Sequence, residues 1–227
     1  MENIVFEDRR DAGKKLADAL VKRGFNKEPA VVLGIPRGGV VVAEEVAKKL
    51  SAPLDVIIAR KIRAPYQPEL GIGAVVSGKY IPIINVEVAR LAGADKNYLD
   101  REIAFQGKEI ERRIRLYRGD RPAEVLSGKT VIVVDDGIAT GYTFRAALEG
   151  LRTSNPKKLV AAAPVSAQDS FEMLKAFADE IVCLSIPAYF SAVGAWYKNF
   201  DQIDDEEVIE ILQHYRSLSE AAQVEMV

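Results

Sequence analysis

VIVVDDGIATGYT, residues 131–143, joins an apolar run to two adjacent carboxylates and then to a turn rich in threonine and glycine. Its first four residues are all β-branched and predict a strand buried on both faces of a parallel sheet. The segment that follows has apolar residues at helical spacing, at Phe144, Ala147, Leu148 and Leu151. The loop between this strand and this helix therefore lies at a strand's carboxyl end, where open α/β sheets bind ligands.

This loop has the composition of a site for a phosphorylated sugar. Its amides, together with the hydroxyls of Thr140 and Thr143, can hold a phosphate at the helix N-terminus. The pair Asp135 and Asp136 suits hydrogen bonds from neutral ribose hydroxyls, or a nearby magnesium ion. An ordinary Asp-Asp-Gly turn after a strand is the alternative interpretation of the same residues. A P-loop is excluded, because the sequence has no Gly-x-x-x-x-Gly-Lys-Ser/Thr segment.

Composition favours a single α/β domain over residues 1–227. The 227 residues are 48% hydrophobic and 28% charged, enough for one core with an elaboration. The 31 basic and 33 acidic residues nearly cancel, so no global field favours nucleic acid or a membrane surface. The single cysteine, Cys183, cannot form an internal disulfide. We expect a cytoplasmic protein, because the start lacks a signal-peptide core and no apolar run reaches the roughly 18 residues of a membrane span.

Predicted strands and helices alternate along the chain, which indicates a mostly parallel central sheet flanked by helices. The predicted strands are 30–33, 54–59, 130–134, 159–163 and 181–184, and the predicted helices are 8–23, 40–50, 95–117, 142–153, 167–177 and 204–215. Two further segments, 72–76 and 80–84, predict an antiparallel hairpin inserted on this sheet.

A second loop with the composition of an anion site follows the first predicted strand. GIPRGG, residues 34–39, leaves amides exposed at a helix start, and Arg37 adds a cation that can form paired hydrogen bonds. Taken alone, Pro-Arg-Gly-Gly is also a plain turn. Two such loops on one sheet would hold two anionic groups, as the two ends of phosphoribosyl diphosphate require.

Residues 131–143 resemble the phosphoribosyl-diphosphate signature of the type I phosphoribosyltransferases: four apolar residues, an acidic pair, two variable residues, a small residue, then Thr-Gly-x-Thr. GIPRGG is similar to the loop that holds pyrophosphate in that family. The resemblance implies a type I phosphoribosyltransferase-like α/β fold, with a core at about 28–185 and a small C-terminal hood at about 186–227. It also implies Mg²⁺ as cofactor, held by the substrate near the acidic pair and without direct protein ligands.

The resemblance further implies roles for individual residues. The acidic pair would hold the ribose hydroxyls, residues 140–143 the 5-phosphate, and Arg37 with Lys61 the leaving pyrophosphate. The expected catalytic residues are Arg37, Lys61, Asp135 and Asp136. The expected substrate-binding residues are Gly34, Pro36, Gly38, Gly39, Arg60, Gly137, Ala139, Thr140, Gly141, Tyr142, Thr143 and Trp196. Arg60 and Lys61 come at the end of the second predicted strand, so they would lie on the ligand side of the sheet. The alternative interpretation is that they are solvated residues at a strand end.

Two regions would complete the site if the resemblance holds. Segment 63–69 occupies the place of the family's mobile catalytic loop, which would keep water from the ribosyl centre. The aromatic segment 189–200 is similar to the base-stacking region of purine-salvage members, and packing against the core is its alternative. Ala139 stands where hypoxanthine-type members carry an Asp, so hypoxanthine or guanine specificity loses support. Adenine-type members also have Ala at that place, and the acceptor base stays unassigned.

We therefore expect transfer of 5-phosphoribosyl from phosphoribosyl diphosphate to a nitrogenous base, with small-molecule substrates and no membrane partner. The alternative is a non-catalytic phosphoribosyl diphosphate or nucleotide-binding regulator, for which the arginines of 112–118 offer a basic face. The acidic neighbours Glu109 and Glu111 favour a solvated face there instead of a nucleic-acid site. The exposed long helix is compatible with a homodimer. His214, the single histidine, has no part in the expected mechanism.

Overall fold

The computed structural model describes residues 5–68, 70–77 and 82–224. The strands are β1 (Ala30–Gly34), β2 (Leu54–Val56), β3 (Ala59–Arg63), β4 (Gly71–Val76), β5 (Pro82–Ile84), β6 (Thr130–Val134), β7 (Lys158–Val165) and β8 (Glu180–Ser185). The helices are α1 (Arg9–Lys22), α2 (Gly38–Leu50), α3 (Val86–Leu91), α4 (Lys96–Arg118), α5 (Tyr142–Arg152), α6 (Gln168–Leu174) and α7 (Asp205–Val224).

The central sheet has five strands in the order β2-β1-β6-β7-β8, and every pair is parallel. All residues of β1 and β6 are buried, as the unbroken apolar runs predict. In the register of these two strands, Gly34 lies beside Val134. The loops that follow β1 and β6 therefore leave the sheet side by side, and the predicted parallel α/β architecture is confirmed.

Helices cover both faces of this sheet because successive strand residues point to opposite faces. Val32 and Val134 face a core shared with α1, α2, α4 and α7. Val31 and Val133 face the opposite core, which α5 and α6 complete through Leu148 and other apolar residues. None of the helices in the described part of the chain combines the length and apolar character needed to cross a membrane.

The prediction of one strand over 54–59 is wrong. The Ile57 N–H still donates to the Gly34 carbonyl at 3.1 Å, but the Ile58 N–H donates to the Ser77 hydroxyl at 3.1 Å. The chain thus leaves the parallel sheet after β2, and β3 pairs antiparallel with β4 in a separate three-stranded sheet with β5. Arg60 and Lys61 consequently lie within β3, and they do not end a strand of the central sheet.

The predicted hairpin is confirmed as β4 and β5, which pair antiparallel with Ala74 opposite Ile83. Residues 78–81 of its turn lie outside the described residues. The segment 63–69, expected to be a mobile loop, begins with the last residue of β3, and Tyr66 beyond it is 89% exposed. Residue 69 of this segment also lies outside the described residues.

The long helix predicted over 95–117 is confirmed as α4. The Asp95 side chain caps it by accepting a hydrogen bond from the Tyr98 N–H at 2.7 Å. Its buried residues, Gln106, Ile110 and Tyr117, form one stripe toward the core. The last helix, α7, continues beyond the predicted 204–215 to Val224, because residues 216–224 contain neither glycine nor proline to end it.

Candidate active site

The two glycine-containing loops meet at the carboxyl edge of the central sheet. A Cβ atom at Gly39 would lie 2.8 Å from the Asp135 Cα, and a Cβ atom at Gly38 would collide with Asp136 Oδ2. Both positions therefore require glycine for the start of α2 to approach the acidic pair. The peptide bond between Pro36 and Arg37, just before these glycines, is cis.

The acidic pair is partly buried and closely spaced. The Asp136 N–H donates to Asp135 Oδ1 at 2.9 Å, so Asp135 folds back over the loop that carries both residues. Burial, followed by the negative charge of Asp136, raises the pKa of Asp135 well above its usual value. The pair thus favours a state with fewer than two negative charges beside the loops.

Arg9 of α1 is the nearest counter-ion of this pair. Its Nε donates to Asp136 Oδ2 at 2.7 Å, and a terminal nitrogen donates to the Asp201 carbonyl at 2.7 Å. The guanidinium lies 3.8 Å from the centroid of the Phe200 ring. Sequence reasoning missed Arg9, although it lies seven and eleven residues before Leu16 and Leu20, on the apolar face of α1.

The loop 137–143 follows β6 and leads into α5. Gly141 occupies the N-cap with φ 72°, and no side chain caps the helix. The Ala139 carbonyl accepts a hydrogen bond from the Ser170 hydroxyl at 2.5 Å, which ties the loop to α6. Thr140, Tyr142 and Thr143 are exposed at the mouth of this turn. The amides of the first turn of α5 are thus available to an anion.

Arginines occur at the start of α2, on β3 and on α4. Arg37 is exposed at the N-cap of α2. Arg60 of β3 donates from Nε to Gln106 Oε1 of α4 at 2.5 Å. Further along α4, the buried Nε of Arg113 has no hydrogen-bond partner among the described residues. Burial, followed by the positive charge of Arg113, lowers the pKa of Arg60.

The side chain of Lys61 points to the opposite face of β3 from the side chain of Arg60. Successive residues of a strand point to opposite faces, and the Lys61 side chain runs beside Gly71 of β4, where a Cβ atom would lie 3.0 Å from Lys61 Cδ. The structure therefore brings together Arg37, Asp135 and Asp136 with the loop 137–143, and it places Lys61 along the second sheet.

The hood segment contacts the loop of the acidic pair through two side chains. The Tyr197 hydroxyl donates to the Asp136 carbonyl at 2.5 Å, and Val193 lies over Gly137, where a Cβ atom would be 2.5 Å from Val193 Cγ1. Trp196 is only 6% exposed and packs in a cluster with Phe6 and other apolar residues. This burial favours packing over base stacking for Trp196.

Residues 6–195 match the phosphoribosyl transferase domain family. Two curated proteins of Mycobacterium tuberculosis, from strains CDC 1551 / Oshkosh and ATCC 25618 / H37Rv, are each 41% identical to this chain over 222 residues. Their names assign them provisionally as phosphoribosyl transferases. The similarity covers 97% of this chain and 49% of each relative, so the chain spans about half the length of these curated relatives.

Solved structures share the fold. TT1426 from Thermus thermophilus is 44% identical, with a TM-score of 0.82 over 93% of this chain and 99% of that chain. A hypothetical protein from Neisseria gonorrhoeae with bound ppGpp is 15% identical, with a TM-score of 0.50 over 93% of this chain and 96% of that chain, and this similarity shows the fold alone. By its family match over residues 6–195 and its parallel α/β fold, the chain belongs to the type I phosphoribosyltransferase family.

Proposed function

We propose that this protein transfers the 5-phosphoribosyl group of phosphoribosyl diphosphate to a nitrogenous base and releases pyrophosphate. The observation that carries the proposal is the meeting of two amide-lined loops at the ends of the adjacent strands β1 and β6, with the acidic pair between them. A single ribose with a phosphate at each end suits this arrangement. The separation of the two loops by only one strand spacing, about 5 Å, is short enough for one such molecule to span them.

Different residues of the site would bind different parts of the substrate. The first-turn amides of α5 would hold the 5-phosphate, helped by the hydroxyls of Thr140 and Thr143. Asp135 and Asp136 would accept hydrogen bonds from the ribose hydroxyls, because carboxyl oxygens are hydrogen-bond acceptors. Gly137, which lies under Val193, would let the backbone approach the sugar closely.

The leaving pyrophosphate would lie at the GIPRGG loop. Arg37 and the N–H groups that start α2 would stabilise the negative charge that grows on the pyrophosphate in the transition state. On α4, the buried Nε of Arg113 has no hydrogen-bond partner among the described residues and is a donor that a phosphate oxygen would satisfy. Lys61, directed elsewhere on β3, has a smaller part in this scheme.

Magnesium would be held mainly by oxygens of the substrate. The described residues contain no group of three or more His, Cys, Asp and Glu side chains that could hold a metal ion. Asp136 already has Arg9 as its counter-ion, and burial raises the pKa of Asp135. These carboxyl groups therefore fit hydrogen bonding to hydroxyls better than direct metal coordination. When bound, the ion would supply counter-charge to the pyrophosphate.

The test measures pyrophosphate released from magnesium phosphoribosyl diphosphate in the presence of purines, pyrimidines and pyridine carboxylates. Base-dependent release would support the transfer, and the base that supports it identifies the acceptor. Arg37→Ala should lower kcat by about 100-fold while changing the affinity for substrate less, because its charge acts on the leaving group. Arg23→Ala, at the far end of α1, is the matched control. Binding without release for any base would favour a regulator.

A further inference from the structure

The acidic pair is held by a residue that the family signature does not contain. Arg9 comes from α1, before the first strand of the central sheet, and reaches Asp136 Oδ2 at 2.7 Å. The Arg9 side chain is 10% exposed and that of Asp136 is 15% exposed, so water screens their attraction little. This ion pair joins the N-terminal helix to the centre of the candidate site.

Three independent contacts fix the Arg9 guanidinium in one orientation. Besides Asp136, it donates to the Asp201 carbonyl at 2.7 Å and stacks on the Phe200 ring at 3.8 Å. Gly38 makes room for the pair, since a Cβ atom there would lie 2.7 Å from Arg9 Nε. A planar guanidinium can make these contacts together, whereas a lysine ammonium cannot.

The positive charge of Arg9 also reduces the repulsion between the acidic pair and an anionic substrate. Two adjacent carboxyl groups face a substrate that carries several negative charges, and unopposed carboxylates would repel it. Arg9 supplies one positive charge within hydrogen-bond distance of Asp136. It engages Oδ2 of Asp136 alone, so Oδ1 remains as an acceptor for a sugar hydroxyl.

We propose that Arg9 is a positioning residue for phosphoribosyl diphosphate: it holds the Asp136 carboxylate in place and offsets its charge, so that the substrate is accepted. The inference rests on the proposed function. It makes α1 and the segment 200–201 parts of the sugar site, although neither contacts the substrate. Arg9 then acts through Asp136 and not independently of it.

A double-mutant cycle tests this dependence. The affinity for magnesium phosphoribosyl diphosphate is measured by calorimetry for wild type, Arg9→Gln, Asp136→Asn and the double variant. We expect Arg9→Gln to weaken binding about tenfold or more, as loss of a charged hydrogen-bond partner does. The double variant should bind about as weakly as Asp136→Asn alone, because residues that act as a unit are not additive.

Two further variants separate positioning from a general loss of structure. Arg10→Gln removes the neighbouring arginine, which pairs with Glu44 and Glu45 away from the site, and should bind within about twofold of wild type. Arg9→Lys keeps the charge but loses the combined contacts, so its affinity should fall between those of wild type and Arg9→Gln. If Arg9→Gln does not fold, the cycle is run with Arg9→Lys, where a loss of about threefold is expected.

The outcomes distinguish this inference from the proposed function. Wild-type protein that does not bind magnesium phosphoribosyl diphosphate would overturn both. Wild-type binding together with unchanged binding by the Arg9 variants would overturn the role of Arg9 and leave the proposed function standing. Losses that multiply in the double variant would likewise show that Arg9 acts apart from Asp136.

Discussion

At the scale of one residue, the geometry of the site requires that position 38 carries no side chain. A Cβ atom there would collide with Asp136 Oδ2 and approach Arg9 Nε. Gly38→Ala should therefore lower the free energy of unfolding by about 1–3 kcal/mol, as overpacking does, and weaken substrate binding. Gly107→Ala is the control, because no atom lies within 4 Å of a Cβ atom at that position of α4. Urea unfolding should show Gly107→Ala as stable as wild type or up to about 1 kcal/mol more stable.

The ionisation of Asp135 affects how the stability of the folded protein depends on pH. Its raised pKa means that the folded state resists ionisation of this group, while the unfolded chain ionises it near pH 4. The contribution of Asp135 to stability is thus fully present below about pH 4 and is lost as the pH rises toward the folded-state pKa. Asp135→Asn keeps an acceptor for the Asp136 N–H and cannot ionise. Its Tm should exceed that of wild type at neutral pH.

The difference in Tm between Asp135→Asn and wild type should disappear below about pH 3, where Asp135 is protonated in both the folded and the unfolded chain. Asp100→Asn, at an exposed position of α4, is the control variant. A wild-type Tm above that of Asp135→Asn at neutral pH would contradict the raised pKa of Asp135.

At the scale of the element, α4 contributes a cation as well as an apolar stripe. Arg113 lies on the side of the helix that carries Ile110 and Tyr117, and the Tyr117 hydroxyl donates to Asp205 of α7. If the pyrophosphate site extends to this face, Arg113→Ala should weaken magnesium pyrophosphate binding by about tenfold, measured by calorimetry. Arg112→Ala is the neighbouring control, since Arg112 is exposed and pairs with Glu109. Equal losses in the two variants would place pyrophosphate away from Arg113.

At the scale of the whole molecule, the N-terminal segment and the hood segment meet beside the site. The Phe6 N–H donates to the Trp196 carbonyl, and the Lys198 N–H donates to the Phe6 carbonyl, both at 2.8 Å. Phe6 is fully buried against Tyr197, with ring centroids 5.4 Å apart. This junction holds the hood segment over the acidic pair.

Phe6→Ala should lower the free energy of unfolding by about 3–5 kcal/mol, because a large buried ring is lost from this junction. The fluorescence of Trp196, the single tryptophan, reports on the same cluster and should shift to longer wavelength in this variant. Val5→Ala, at a neighbouring residue that is 44% exposed, should change both measurements little. An unshifted spectrum in Phe6→Ala would show that Trp196 does not depend on this packing.

The sequence by itself determined the central architecture and the place of the two loops. Buried parallel strands need continuous apolar runs, and the runs before GIPRGG and before Asp135 are local features that can be read directly. The buried stripe and the cap of α4 were predictable for the same reason, because helical periodicity and capping involve residues close in the chain.

Only the tertiary structure decided the partners of the site residues. Arg9 and Asp136 are 127 positions apart, and no local pattern indicates that α1 packs beside this loop. The division of segment 54–63 into strands of two different sheets depended on Ser77, which takes the hydrogen bond of Ile58. The burial of Trp196 likewise depended on Phe6. Such long-range pairings follow from how the elements pack, and the one-dimensional pattern of the chain does not contain them.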